Sequence, residues 1–153
     1  MNDKPLVSVV IPAYKTMYFD AALASACRQT YEPLEIVVCD DSRTVIISAL
    51  VRQYQESSGV SIRYEFNEQV RGELFNAIEC IKLANGKYIK FLHDDDVLHP
   101  DCVAELVAAM EGDSSVSIAS SRRRLVDCEG EQLPDVIATA LPFSTDVVIN
   151  GAE

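Results

Sequence analysis

The sequence predicts an α/β fold, a three-layer α/β/α sandwich on a mostly parallel sheet, and two observations predict it. Short apolar runs rich in branched and aromatic residues alternate with segments whose apolar residues recur at helical spacing, the pattern of successive βαβ units. Three of those runs, at residues 6–11, 34–39 and 88–92, stop abruptly at polar clusters: Pro12-Ala13-Tyr14, Asp40-Asp41-Ser42 and Asp94-Asp95-Asp96. Right-handed crossovers place the ends of parallel strands on a common edge, and open α/β sheets bind their ligands there. Two acidic clusters and an aromatic loop on one edge point to a site.

Residues 6–11 (Leu-Val-Ser-Val-Val-Ile) form the first strand, closed by Pro12, which cannot donate to a sheet ladder. Phe19, Leu23, Ala26 and Cys27 give a helix with one apolar face that ends before Pro33. Residues 34–39 are the second strand. Ile47, Leu50, Val51 and Tyr54 mark the buried face of a second helix, which stops at Ser57-Ser58-Gly59. A third strand covers about 61–65, followed by a polar loop over 67–72 and a third helix with Leu74, Ala77, Ile78 and Ile81 as its inner face. Asn85-Gly86 ends that helix and leads into a buried, central strand over 88–92. Pro100 begins a fourth helix striped by Val103, Leu106, Val107 and Met110. A fifth strand is expected near 116–120, and Asp127-Cys128-Glu129-Gly130 reads as a turn between two extended segments. Beyond Pro134 the periodicity fades.

Composition narrows the function classes. The 153 residues suit one domain with a conventional core. Twenty-four acidic against 13 basic residues give a net charge of −11, which argues against a nucleic-acid or anionic-membrane binder. The five cysteines are scattered and odd in number, so they indicate neither a disulfide framework nor a zinc site. Each reads as a small packing residue in a reducing compartment. The first apolar run is too short for a signal peptide or a membrane span. The expected location is cytoplasmic, with peripheral contact to the inner face of a membrane compatible with it. Three adjacent carboxylates repel one another unless solvent or a cation offsets the charge. A hard divalent cation such as Mg²⁺, commonly held by one or two carboxylates and substrate phosphates, would do so.

Val7-Ser8-Val9-Val10-Ile11-Pro12-Ala13-Tyr14, then Ser25 with Gln29-Thr30-Tyr31, then Glu35 to Ser42 resemble the opening of family 2 glycosyltransferases of the GT-A fold. Ala84-Asn85-Gly86-Lys87-Tyr88-Ile89 with Phe91 to Asp96 resembles their later segment, which ends in the DxD-type metal motif. The resemblance implies a Rossmann-like nucleotide-sugar domain and a nucleotide-diphospho-sugar donor, usually a UDP-sugar. It also implies Mg²⁺ or Mn²⁺ and sugar transfer to an acceptor hydroxyl with inversion. Carried over residue by residue, Pro12, Ala13 and Tyr14 match the loop against the base and ribose, and Asp41 matches the acid that accepts from the uracil ring, with Asp40 its neighbour. Asp94 matches the acid facing the ribose or sugar-phosphate, and Asp95 the principal metal ligand. Asp96 is either a second ligand or an N-terminal helix acid.

Other readings stay open for several of these residues. Asp40 is equally read as a cap on the amides of the following turn, and Tyr14 as a partly buried aromatic; the run Arg122 to Arg124 offers charge to an acceptor phosphate but reads first as a solvated strand face. His93 and His99 read as strand-end and helix-cap residues. Lys15 stands where the family often has Asn, and Ser42-Arg43 replaces the frequent Gly-Ser. The inverting reaction needs a general base, and the family carries it further along than Glu153; Asp127 and Asp135 fall too early to replace it. The chain therefore reads as a single donor-binding domain, 1–153, truncated on its acceptor side. The rival readings are a non-catalytic nucleotide-sugar-binding module and a sugar nucleotidyltransferase, the latter disfavoured because no glycine-rich basic loop follows the first strand.

Overall fold

The computed structural model describes residues 4–137 together with 139, 147 and 148; the rest of the tail that follows Pro134 lies outside them. The chain divides into two compact units, the first ending at Ala104 and the second beginning at Glu105. The first contains β1 (Val7–Ala13), α1 (Phe19–Cys27), β2 (Leu34–Asp40), α2 (Ile46–Ser57), β3 (Ser61–Phe66), α3 (Glu73–Leu83) and β4 (Tyr88–Phe91). The fourth helix, α4 (Cys102–Gly112), leads out of it.

All strand pairs are parallel and the order is β3-β2-β1-β4. The chain steps from β1 to β2 to β3 in one direction and then returns past β1 to place β4 on its other side. Right-handed crossovers thus set α1 and α2 on one face and α3 on the other. The reversal makes the β1–β4 boundary the topological switch point, the place on an open α/β sheet beyond whose strand ends ligands commonly bind. Val10, Val37 and Cys39 pack with Cys80 of α3 on one face of the sheet. Val9, Ile11, Ile36 and Val38, which alternate with them, are fully buried on the other.

The inner faces expected for α1, α2 and α4 are observed: Phe19, Leu23, Ile47, Val51, Val103 and Val107 are all buried. Four expectations before α4 are corrected. Pro12 does not close β1, which runs on through Ala13 with Pro12 opposite Cys39. Even-numbered residues of β1 direct their backbone groups toward β4, as the Leu92 N–H to Val10 carbonyl bond shows. Beyond Phe91 that strand has ended, so no ladder bond is lost at Pro12. The 88–92 strand is not central and is buried only at Leu92: among the described residues β4 ends the sheet order, with Ile89 40% and Phe91 39% exposed, and β1 and β2 lie inside. The inner line of α3 is Asn76 and Cys80, with Leu74 68% exposed, because Asn76 is drawn inward to bond backbone carbonyls at the strand ends. Pro100 lies in the turn before α4, its carbonyl accepting from Thr30 N–H.

In the second unit no strand forms at 116–120 among the described residues, and Ile118 is 84% exposed. A run of alternating apolar residues becomes a strand only when a partner completes its ladder. The turn at 127–130 is as expected: Asp127 Oδ1 accepts from Glu129 and Glu131 N–H, Gly130 takes a φ of 88°, and Val126 bridges Gln132. Arg122 pairs with Asp135, so this acid and Asp127 both serve local structure.

Candidate functional site at the C-terminal edge of the sheet

Parallel pairing brings all three polar clusters to one edge. The register sets Ala13 opposite Asp40, and Asp94 follows β4 by three residues. The five aspartates of the two acidic clusters then divide sharply in what their carboxylates bond.

Asp40 is fully buried; its Oδ1 accepts Ser42 N–H at 2.7 Å and its Oδ2 accepts the Tyr64 hydroxyl at 2.8 Å. This is the amide-capping reading, extended to a cross-strand partner. Burial, with that hydrogen bond, raises the Tyr64 pKa well above the ordinary phenol range and keeps it a donor.

Asp41 is 2% exposed. Its Oδ1 accepts Asn67 Nδ2 at 2.7 Å, and its Oδ2 accepts the N–H groups of Arg71 and Gly72, each at 2.9 Å. Asn67 Nδ2 also donates to Asn76 Oδ1, and Asn76 Nδ2 donates to the carbonyls of Cys39 and Ala13. One buried network thus ties the ends of β1 and β2 to the loop before α3. Of about four lone-pair directions on the Asp41 carboxylate, three are occupied. Nothing in the sequence marks Asn67; for Asn76 the signal is an amide inside the apolar stretch of α3, where an unpaired polar group would be costly.

The third cluster behaves differently along its length. Asp94 is 6% exposed, and its Oδ2 accepts the backbone N–H groups of Tyr14 at 2.7 Å and Lys15 at 2.6 Å. It closes the switch point by fixing the chain that leaves β1. Asp95 is more open; its Oδ2 pairs with Lys15 Nζ at 2.6 Å, and the two side chains are 36% and 62% exposed. That hydrogen bond and charge hold the Asp95 carboxyl below its usual range and the Lys15 ammonium above its own. Asp96 is exposed, and its N–H closes a turn on the His93 carbonyl. The acid segment is anchored at both ends, by Leu92 N–H on Val10 and by Leu98 N–H on the buried Ser25 hydroxyl. Gln29 extends the second anchor through bonds to the His99 carbonyl and Val103 N–H.

Pro12 and Ala13 are buried, whereas Tyr14 presents its ring to solvent at 62% exposure. His93 and His99 are exposed, the latter 3.9 Å from Asp101. Arg43 takes a φ of 61°, held by the Glu68 carbonyl and stacked over Phe66 at 5.2 Å. Among the described residues no three His, Cys, Asp or Glu side chains converge on one metal position, and no helix is long and apolar enough to cross a membrane. The cysteines are free, with Cys39, Cys80 and Cys102 buried and Cys128 exposed.

A family model described as Glycosyl transferase family 2 matches residues 8–144. The chain is 34% identical over 128 residues to the chondroitin synthase of Escherichia coli, covering 82% of this chain and 18% of that protein. It is 37% identical over 95 residues to the Escherichia coli UDP-Glc:alpha-D-GlcNAc-diphosphoundecaprenol beta-1,3-glucosyltransferase WfaP, covering 60% and 36% respectively. The chain spans well under half the length of these curated relatives. Among solved structures it is similar to S. aureus TarS in complex with UDP-GlcNAc, with a TM-score of 0.63 at 22% identity over 69% of this chain and 31% of that one. It is also similar to a mannosyltransferase from Pyrobaculum calidifontis in complex with GDP-Man and Mn²⁺, with a TM-score of 0.65 at 22% identity over 71% and 33%.

Proposed function

This chain belongs to glycosyl transferase family 2, and from that premise we propose that it binds a nucleotide-diphospho-sugar, a UDP-sugar in the first instance, for inverting transfer of the sugar to an acceptor hydroxyl. The observation that carries the reading is the division of carboxylates at the switch point. Asp94 is turned inward to fix Tyr14 and Lys15, which leaves Asp95 and Asp96 exposed beside the same loop.

Two exposed carboxylates suit Mg²⁺ or Mn²⁺, because such ions are commonly held by one or two carboxylates with water and substrate phosphates completing the shell. Asp95 and Asp96 are the residues that would hold the ion, and the side-chain partner that Asp95 would release is an exposed lysine. A cation bound there would offset the charge that develops on the departing diphosphate. The protein's own groups do the positioning. Tyr14 offers an exposed ring to the base, while Pro12 and Ala13 supply the rigid strand end beneath it. Asp41 has one lone-pair direction left for a donor on the base, and its other bonds hold it in place. Asp40 supports that strand end from within, and Asp94 orients the 14–15 backbone along the ribose.

Calorimetric titration of UDP with Mn²⁺, and again with chelator, tests the reading. Tighter binding with the metal is expected, since the cation relieves repulsion between the diphosphate and an acidic edge. Equal affinities would remove Asp95 and Asp96 from the site. Release of UDP from a UDP-sugar, with and without acceptor saccharides, tests transfer separately.

A further inference from the structure

The Lys15 ammonium lies 2.6 Å from Asp95 Oδ2, on the carboxylate assigned above to the metal. The root of the side chain is fixed, because Lys15 N–H is bonded to the buried Asp94 at 2.6 Å. Its tip is 62% exposed on a flexible four-carbon stem. Among the described residues it is the basic side chain within ion-pair distance of Asp95. An exposed pair of this kind is weak and readily exchanged. A lysine ammonium also binds phosphate well as a point charge.

We propose that Lys15 is a tethered counter-ion that the divalent cation displaces from Asp95 and that then turns to the nucleotide diphosphate, so that metal and nucleotide bind as a coupled pair. The inference rests on the donor and metal reading above. An ammonium and a divalent cation on one carboxylate repel each other, so metal binding alone works against Lys15. When the diphosphate arrives it offers the displaced ammonium a second anionic partner within reach of its stem. Metal then favours nucleotide and nucleotide favours metal by the same factor, as linkage requires. The strand-end loop is unaffected, since the backbone bond of residue 15 to Asp94 does not depend on its side chain.

The test compares wild type with K15A and K15Q, following Mn²⁺ alone by electron paramagnetic resonance and UDP by calorimetry at saturating Mn²⁺. Both variants should bind Mn²⁺ alone about two- to fivefold tighter than wild type, as expected for removal of one exposed competing charge. Both should bind UDP about three- to tenfold more weakly at saturating Mn²⁺, with the affinity for uridine, which lacks the diphosphate, unchanged. Unchanged or weaker Mn²⁺ binding would overturn the displacement, and an unchanged UDP affinity would overturn the handover to the diphosphate. If wild type binds neither UDP nor Mn²⁺, the donor reading itself falls and this inference with it. Metal-dependent UDP binding by wild type alongside indifferent variants sinks the Lys15 inference alone.

Discussion

The two acidic strand ends, Asp40-Asp41 after β2 and Asp94-Asp95-Asp96 after β4, look alike as letters and differ in how far the chain itself occupies their carboxylates. At the first, both carboxylates are buried and carry five hydrogen bonds from the chain itself. At the second, one carboxylate is buried on two backbone amides, and the next has an exposed lysine. The difference teaches that an acidic motif at a sheet edge combines buried carboxylates held by the chain's own donors with carboxylates left open to solvent. Donors within bonding distance decide which is which. β2 lies inside the sheet with β3 and the 67–72 loop beside it, so donors surround its end. Among the described residues β4 ends the sheet order, and its end faces fewer.

The largest effect should come from breaking the first cluster. Asp41→Ala should destabilise the protein by about 3–5 kcal/mol in urea unfolding, because three donors, two of them backbone N–H groups, lose a charged acceptor in a buried site. A loss below about 1 kcal/mol would mean that this carboxylate is not the scaffold group described. Asp94→Ala should cost less, about 2 kcal/mol, since two amides at the rim can recover water. It should nonetheless weaken UDP binding strongly by releasing the 14–15 backbone. Asp95→Ala sharpens the contrast: stability should change by less than about 1 kcal/mol, an exposed pair being screened by solvent, while the effect of metal on UDP affinity disappears. If Asp95→Ala unfolds the protein and Asp41→Ala does not, the division between the clusters is reversed.

The smallest expected effect concerns a carboxylate at the opposite edge. Glu35 accepts from the Ser8 hydroxyl and Asn85 N–H, each at 2.6 Å, and Gly86 N–H donates to the same Ser8. A Cβ on Gly86 would meet Ser8 N at 2.6 Å, so glycine is required for this approach. Burial pushes the Glu35 pKa up, but the bonds from Ser8 and Asn85 outweigh it and hold the group below the usual glutamate range. A depressed carboxyl contributes stability above its unfolded pKa, near 4.3, and loses it as pH falls through the folded value. Urea unfolding between about pH 6 and 2 should therefore show a shallower acid loss in Glu35→Gln than in wild type. Identical slopes would remove Glu35 from the acid response.

Periodicity and strand-end chemistry made much of this legible in advance. Phe19, Leu23, Ile47 and Val51 declare their helix faces because apolar side chains at helical spacing have one place to go. The ordered pieces from Val7 to Asp96 pointed to the family. Periodicity misled at α3, where Leu74 and Ile81 gave an apolar stripe that Asn76 overrode, and at 116–120, where alternation lacked a partner.

What the sequence determined by itself was the succession of strands and helices, their parallel sense, and hence the arrival of Tyr14, Asp41 and Asp95 at one edge. Only the tertiary structure decided that β4 ends the sheet order among the described residues, and that Asp41 and Asp94 are buried on the chain's own donors while Asp95 is open. The reason is separation along the chain: Asp41 meets its donors 26 to 31 residues away, and Asp94 meets the amides of Tyr14 and Lys15 at 80 and 79. A carboxylate's role is set by the donors and solvent around it, and those neighbours are assigned by the crossovers of the sheet.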